Sequence, residues 1–177
     1  MPKKLRKMLG DVSSPSAVAL RELIDTQSKE TIRKWCLGYA EVKILPIFEK
    51  HCPSDERPRN AVNAARNFIN GKVKLPEVKN IIITECQNSA RELENNPTAQ
   101  AAARAIGCGS AVVQTLTHSL GFFFYAAAAI AYDRVGLDAT DNVYAEIAEE
   151  VCLDYTEALK AIAVEDELNP AKLKWNC

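Results

Sequence analysis

The side chains in this chain that could do chemistry are few, and most stand where helical patterns begin or end. Glu49 closes one helical pattern, and the polar turn from Glu49 to Pro58 follows it, with Asp55 and Arg57 opening the next. Arg91 stands beside Glu92 in a later helical stretch, Arg104 lies inside an alanine run, and His118 falls at a break between apolar stretches. Buried charges persist only when paired and hydrogen-bonded, so groups of this kind are expected to find one another. Asp55 can accept from the free backbone N–H groups of a helix N-terminus. The forked Arg57 guanidinium can then bridge to Glu49 or to preceding carbonyls. Two outcomes stay open: a capping and ion-pair network that fixes an interhelical turn, or a polar pocket or partner-contact surface.

A search for catalytic machinery finds no local signature. His51 and His118 are the two histidines, and His51 beside Cys52 is not a catalytic pair, because neighbouring helix residues point in different directions. The chain has no H-E-x-x-H and no Walker loop, and Gly107-Cys108-Gly109 follows a helix rather than a strand, unlike a dinucleotide fingerprint. Adjacent carboxylates such as Glu149 and Glu150, or Glu165, Asp166 and Glu167, read as solvated faces. The cysteines at 36, 52, 86, 108, 152 and 177 lack metal-ligand spacing and are expected as free thiols in a reducing cytoplasm. No cofactor, no metal and no enzymatic activity are expected.

The elements that must position these groups follow from composition and periodicity. A chain of 177 residues normally makes one domain that buries about 70% of its unfolded surface. Lys plus Arg (22) and Asp plus Glu (23) nearly cancel, which argues against a dedicated nucleic-acid binder. The basic group Lys3, Lys4, Arg6 and Lys7 reads as a solvated tail. A basic start followed by Leu-Gly-Asp-Val-Ser-Ser lacks the apolar core of a secretory leader. The apolar run from Leu120 to Tyr132, about 13 residues, falls short of the ~20 that span a bilayer, so no membrane is expected.

The periodicity predicts an all-α, single-domain bundle of about six to seven helices with an Ala-rich central pair. A basic tail covers residues 1–12, the helical domain 13–164, and a polar tail 165–177, in which Trp175 can fold back. Ser14 and Ser28 are N-cap candidates for the first two helices, and Pro46 is expected to kink the second. The third helix starts near Asp55 and stops at Asn70-Gly71, a left-handed C-cap. Pro76 opens the fourth and Asn96-Pro97 the fifth, a break is expected at residues 117–121, and the last helix follows Asp138 or Asp141. The alanines at 99–105 and 126–129 let helix axes approach closely, which places those two helices at the centre.

The same residues carry a resemblance. Trp35-Cys36, Ile44 to Glu49, Pro53, Asp55, Arg57-Pro58 and Ala61 resemble the bacterial immunity proteins of the immunity five-like group. The similarity continues in Ala90-Arg91-Glu92, Ala102 to Ala105, Gly107, Ala111, His118 and Tyr125-Ala126. It implies an all-helical cytosolic protein that protects a cell by binding a toxin. Family members carry further histidines where this chain has Cys108 and Gln114, so the resemblance favours a scaffold over a histidine-based active site. On this reading the protein masks a toxin, with Trp35, Glu49, Asp55 and Arg57 as contact candidates. The alternative is a small-molecule binder or enzyme whose pocket, lined by Arg57, Arg91, Arg104 and His118, takes an anionic ligand. A structural homodimer packing through an apolar face is the third reading.

Overall fold

Side-chain caps set where the helices begin. In the computed structural model, which describes residues 4–175, Ser14 Oγ accepts from the Ala17 N–H at 3.2 Å and opens α1 (Pro15–Asp25). Ser28 Oγ accepts from the Thr31 N–H at 3.2 Å and opens α2, residues 29–51. Then come α3 (Arg57–Ile69), α4 (residues 75–92), α5 (residues 97–113), α6 (His118–Val135) and α7 (Asp141–Lys160). Asn96 caps α5 and Thr140, a residue the periodicity did not single out, caps α7. Among the described residues these seven rods, with no strand, make an all-α single domain.

Pro46 does not simply kink α2. The rod changes at Ala40–Ile44 into a π-helical turn, in which the Leu45 N–H bonds the Ala40 carbonyl, and returns to α-geometry at Leu45–His51. Proline has no N–H and its ring crowds the carbonyl four residues back, so a widened turn just before it relieves both problems. A second π turn, Ile82–Gln87, interrupts α4. The third helix ends as expected: Asn70 is its C-cap and Gly71 takes φ +70°. The break before α6 falls at residues 114–117, earlier than expected, because His118 already opens the helix with its N–H on the Thr115 carbonyl at 3.0 Å.

The Ala-rich helices α5 and α6 do occupy the centre. Ala99, Ala102, Ala105 and all four alanines from Ala126 to Ala129 are fully buried. Gly109 marks the tightest approach: a Cβ there would stand 3.0 Å from the Phe122 ring and 3.1 Å from Ala40 Cβ on the π turn of α2. Around this pair, Trp35 stacks on Tyr155 at 3.9 Å between centroids, tying α2 to α7. The Trp35 indole N–H donates to the Tyr155 carbonyl at 2.9 Å, and the Tyr155 hydroxyl to the Ser119 carbonyl at 2.9 Å.

The segments flanking the rods lie on the bundle. Leu9 is 3% exposed, its N–H donates to the Phe124 carbonyl at 3.0 Å, and the Tyr132 hydroxyl donates to the Arg6 carbonyl at 2.6 Å. The basic segment expected as a solvated tail is therefore held against α6 from Leu5 onward, because Leu5 and Leu9 have apolar surface to bury. Lys3 lies outside the described residues. At the other end Gln27, 2% exposed, accepts from the Val164 N–H on its side chain and from the Ala171 N–H on its backbone, both at 2.8 Å. Trp175 does fold back, its indole N–H donating to Asp25 Oδ1 at 2.9 Å. Cysteines 36, 52, 86, 108 and 152 are free thiols, and Cys177 lies outside the described residues. Among the described residues no helix is long and apolar enough to cross a membrane.

Candidate functional site

The charged residues separate into two groups on different parts of the bundle. The first joins the start of α3 to the end of α4. Asp55 Oδ1 accepts from the Arg57 backbone N–H at 3.1 Å and from Arg57 Nε at 2.9 Å. Its Oδ2 accepts from Arg57 Nη2 at 2.9 Å and from the Ser89 hydroxyl at 2.7 Å. Arg57 also donates to Glu92 Oε2 at 2.8 Å. The Arg57 hydrogen bonds, aided by Ser89, hold the Asp55 carboxyl at a pKa of about 2, despite partial burial, and raise the Arg57 pKa in return. Arg57 does not bridge to Glu49. Turned towards Asp55 and Glu92, it leaves Glu49 to Arg59, which reaches it with Nη2 at 2.8 Å. Trp35, offered as a contact residue, is 3% exposed with its N–H already spent inside the core.

The second group lines an open cleft of about 670 Å³ between α4, α5 and α6. Helical register assembles it. From α4 come Gln87, Ala90 and Arg91, spaced i, i+3 and i+4, so they share one face. From α5 come Arg104 with Gly107, Cys108 and Ala111, again three, four and seven apart. From α6 come His118, Gly121 and Tyr125. Lys7 reaches the cleft from the N-terminal segment. Arg91, Arg104 and His118 are thus brought together as the pocket reading expected, and Arg57 is not among them.

The electrostatics of the cleft are one-sided. Its lining holds three cationic side chains and no carboxylate. Arg91 donates to Asn88 Oδ1 at 3.1 Å but has no carboxylate partner among the described residues. Arg104 is half-buried and likewise unpaired with an acid, and its burial lowers its pKa. Desolvation also lowers the His118 pKa, which favours a neutral imidazole. The Cys108 thiol is pushed up to about 12 by burial, so it is a protonated donor rather than a nucleophile. Such a lining can hold an anion, and it lacks an activated nucleophile. The sequence reading missed Lys7, Gln87 and Gly121. The last two were reachable by stepping three or four residues from Arg91 and His118, whereas nothing in the sequence points Lys7 at this cleft.

Residues 22–158 match the family model described as "Imm-5 like putative immunity protein". The chain belongs to that family. Of the residues that carry the resemblance, Arg91, Arg104, Gly107, His118 and Tyr125 all line the cleft, whereas Asp55 and Arg57 form the lock between α3 and α4. No curated protein and no solved structure matches the chain.

Proposed function

We propose that this immunity-family chain binds a bacterial toxin in the cytoplasm and neutralises it stoichiometrically, without chemistry of its own. The observation that carries this reading is the family match across residues 22–158. The geometry at the start of α3 supports it. Arg59 with Glu49, and Arg57 with Glu92, present charged groups at the surface already fixed in ion pairs, so little side-chain entropy is lost when a partner docks. An interface of the usual size, about 800 Å² per partner, would extend over this α3–α4 face. Trp35 is not part of the proposed face, because it lies in the core.

The test is co-expression with the product of a toxin gene adjacent to the gene for this chain. The expected result is a one-to-one complex on size exclusion and restored growth, with Arg59→Glu weakening both. A toxin that stays fully active beside an excess of this chain, or one that is inactivated by far less than an equimolar amount, would overturn the proposal.

A further inference from the structure

We propose that the cleft between α4, α5 and α6 is a binding site for a small phosphate monoester, with Arg91, Arg104 and Lys7 on the phosphate. This site is separate from the α3–α4 face, and the proposal does not depend on toxin binding.

Three observations converge. First, the cleft brings together three cations that have no acidic partner among the described residues. Four arginines elsewhere on this bundle, Arg57, Arg59, Arg66 and Arg134, each hold a carboxylate, and Arg33 lies over the Phe68 ring. Arg104 is half-buried while Lys7 and Arg91 are exposed, and an anion in the cleft would give the partly desolvated Arg104 the partner it lacks. Second, the number of charges selects the anion. One guanidinium saturates a carboxylate in a bidentate pair, whereas a phosphate monoester carries nearly two charges and three terminal oxygens, enough to engage two forks and an ammonium.

Third, Gly121 is not explained by the fold. It sits within α6, where glycine costs about 1 kcal/mol relative to alanine. Its φ is ordinary, and a Cβ there would meet nothing within 4 Å. Neither backbone geometry nor packing calls for a glycine, and Gly121 lines the cleft as well as a neighbouring hollow beside Arg6 and Leu120. Together with Ala90, Ala103 and Gly107 it gives the cleft a floor of small side chains, and Tyr125 adds an aromatic edge. That floor suits the organic part of a ligand, and the volume lies within the range of about 300–1,000 Å³ found for small-molecule sites.

The experiment is calorimetric titration of the full chain at low salt with adenosine monophosphate, inorganic phosphate, adenosine and succinate, repeated on Arg91→Gln, Arg104→Gln and Gly121→Leu. Binding is expected for the two phosphates, with the ester tighter, and for neither adenosine nor succinate at comparable concentration. Losing one charge-assisted contact should weaken phosphate binding by about tenfold or more. Arg91 is exposed, so its variant keeps the fold whatever Arg104→Gln does. Gly121→Leu should weaken the ester more than inorganic phosphate.

The two histidines give an independent readout. Phosphate should move the His118 imidazole proton signal and leave that of His51, which lies beside Asp133, 15 residues further along α6 and so about 22 Å away. Absence of phosphate binding at millimolar concentration, equal affinity for succinate, or binding untouched by both arginine variants would each overturn the assignment. So would binding of an acidic peptide in preference to either phosphate.

Discussion

Asp55 accepts four hydrogen bonds, three from Arg57 and one from Ser89, and this makes it a measurable contributor to stability. Its carboxyl titrates near 2 in the folded chain against an ordinary value of 3.8. A depressed carboxylate pKa stabilises the fold above the unfolded value, and that contribution disappears as pH falls through the folded value. For Asp55 it amounts to about 2 kcal/mol, present at neutral pH and lost between about pH 4 and pH 2. Urea midpoints measured across that window should fall steeply for the native chain and less steeply for Asp55→Asn; parallel curves would contradict this. Asp55→Ala at neutral pH should cost about 2–3 kcal/mol, because Ser89, fully buried, loses its acceptor and Arg57 keeps only Glu92. The sequence identified Asp55 and Arg57 by their place at a helix boundary. It offered Glu49 or preceding carbonyls to Arg57 and did not consider Glu92, since Glu92 lies 35 residues away and only the packing of α3 on α4 brings it near. The same limit hid Ser89, an unremarkable serine until its distance to Asp55 is known.

Among the helices, glycines show where rods touch and where they do not. Gly109 stands between α5, the Phe122 ring and Ala40 on the π turn of α2, and Phe122 is fully buried with no room to retreat. Gly109→Ala should therefore destabilise the bundle by about 1–2 kcal/mol, the overpacking cost outweighing the gain in helix propensity. Gly38 lies in α2, and a methyl group added there would meet nothing within 4 Å, so Gly38→Ala should raise stability by about 0.5–1 kcal/mol. Thermal melts of the two variants should move in opposite directions, and a shift of the same sign would refute the contrast. Boundaries of the rods were readable from local chemistry: Ser14, Ser28 and Asn96 each cap as their types suggest, and Asn70-Gly71 ends α3. The π turns at Ala40–Ile44 and Ile82–Gln87 were not, because a register shift of one hydrogen bond leaves the apolar spacing almost unchanged. For the cleft, helical register placed residues on faces, but which faces meet depends on how α4, α5 and α6 cross.

The bundle is closed at both ends of the chain by segments outside the rods, and composition alone misread the first of them. Four basic residues near the N-terminus outweighed Leu5 and Leu9 in that reading, yet Leu9 is almost fully buried against α6. Burial of one leucine side chain is worth about 1.5–3 kcal/mol, more than solvating a few exposed lysines gains by leaving the surface. At the C-terminal end, Ala171, Leu173 and Trp175 pack on the core, the Ala171 N–H satisfies the Gln27 carbonyl, and Trp175 reaches Asp25. Deleting residues 165–177 removes these contacts while retaining the Val164 N–H bond to the Gln27 side chain. The expected cost is about 2 kcal/mol, from one neutral and one charge-assisted hydrogen bond together with part of an indole face. For a chain of this length that lowers the thermal midpoint by about 4–8 °C, with a single transition preserved because the seven rods share one core. The chain has two tryptophans, so the deletion leaves Trp35 as the sole tryptophan fluorophore, buried between α2 and α7. Its emission should stay that of a buried indole after truncation. An unchanged midpoint would show that the C-terminal segment does not brace the bundle, and a red-shifted Trp35 would show that its influence reaches further, into the contact of α2 with α7.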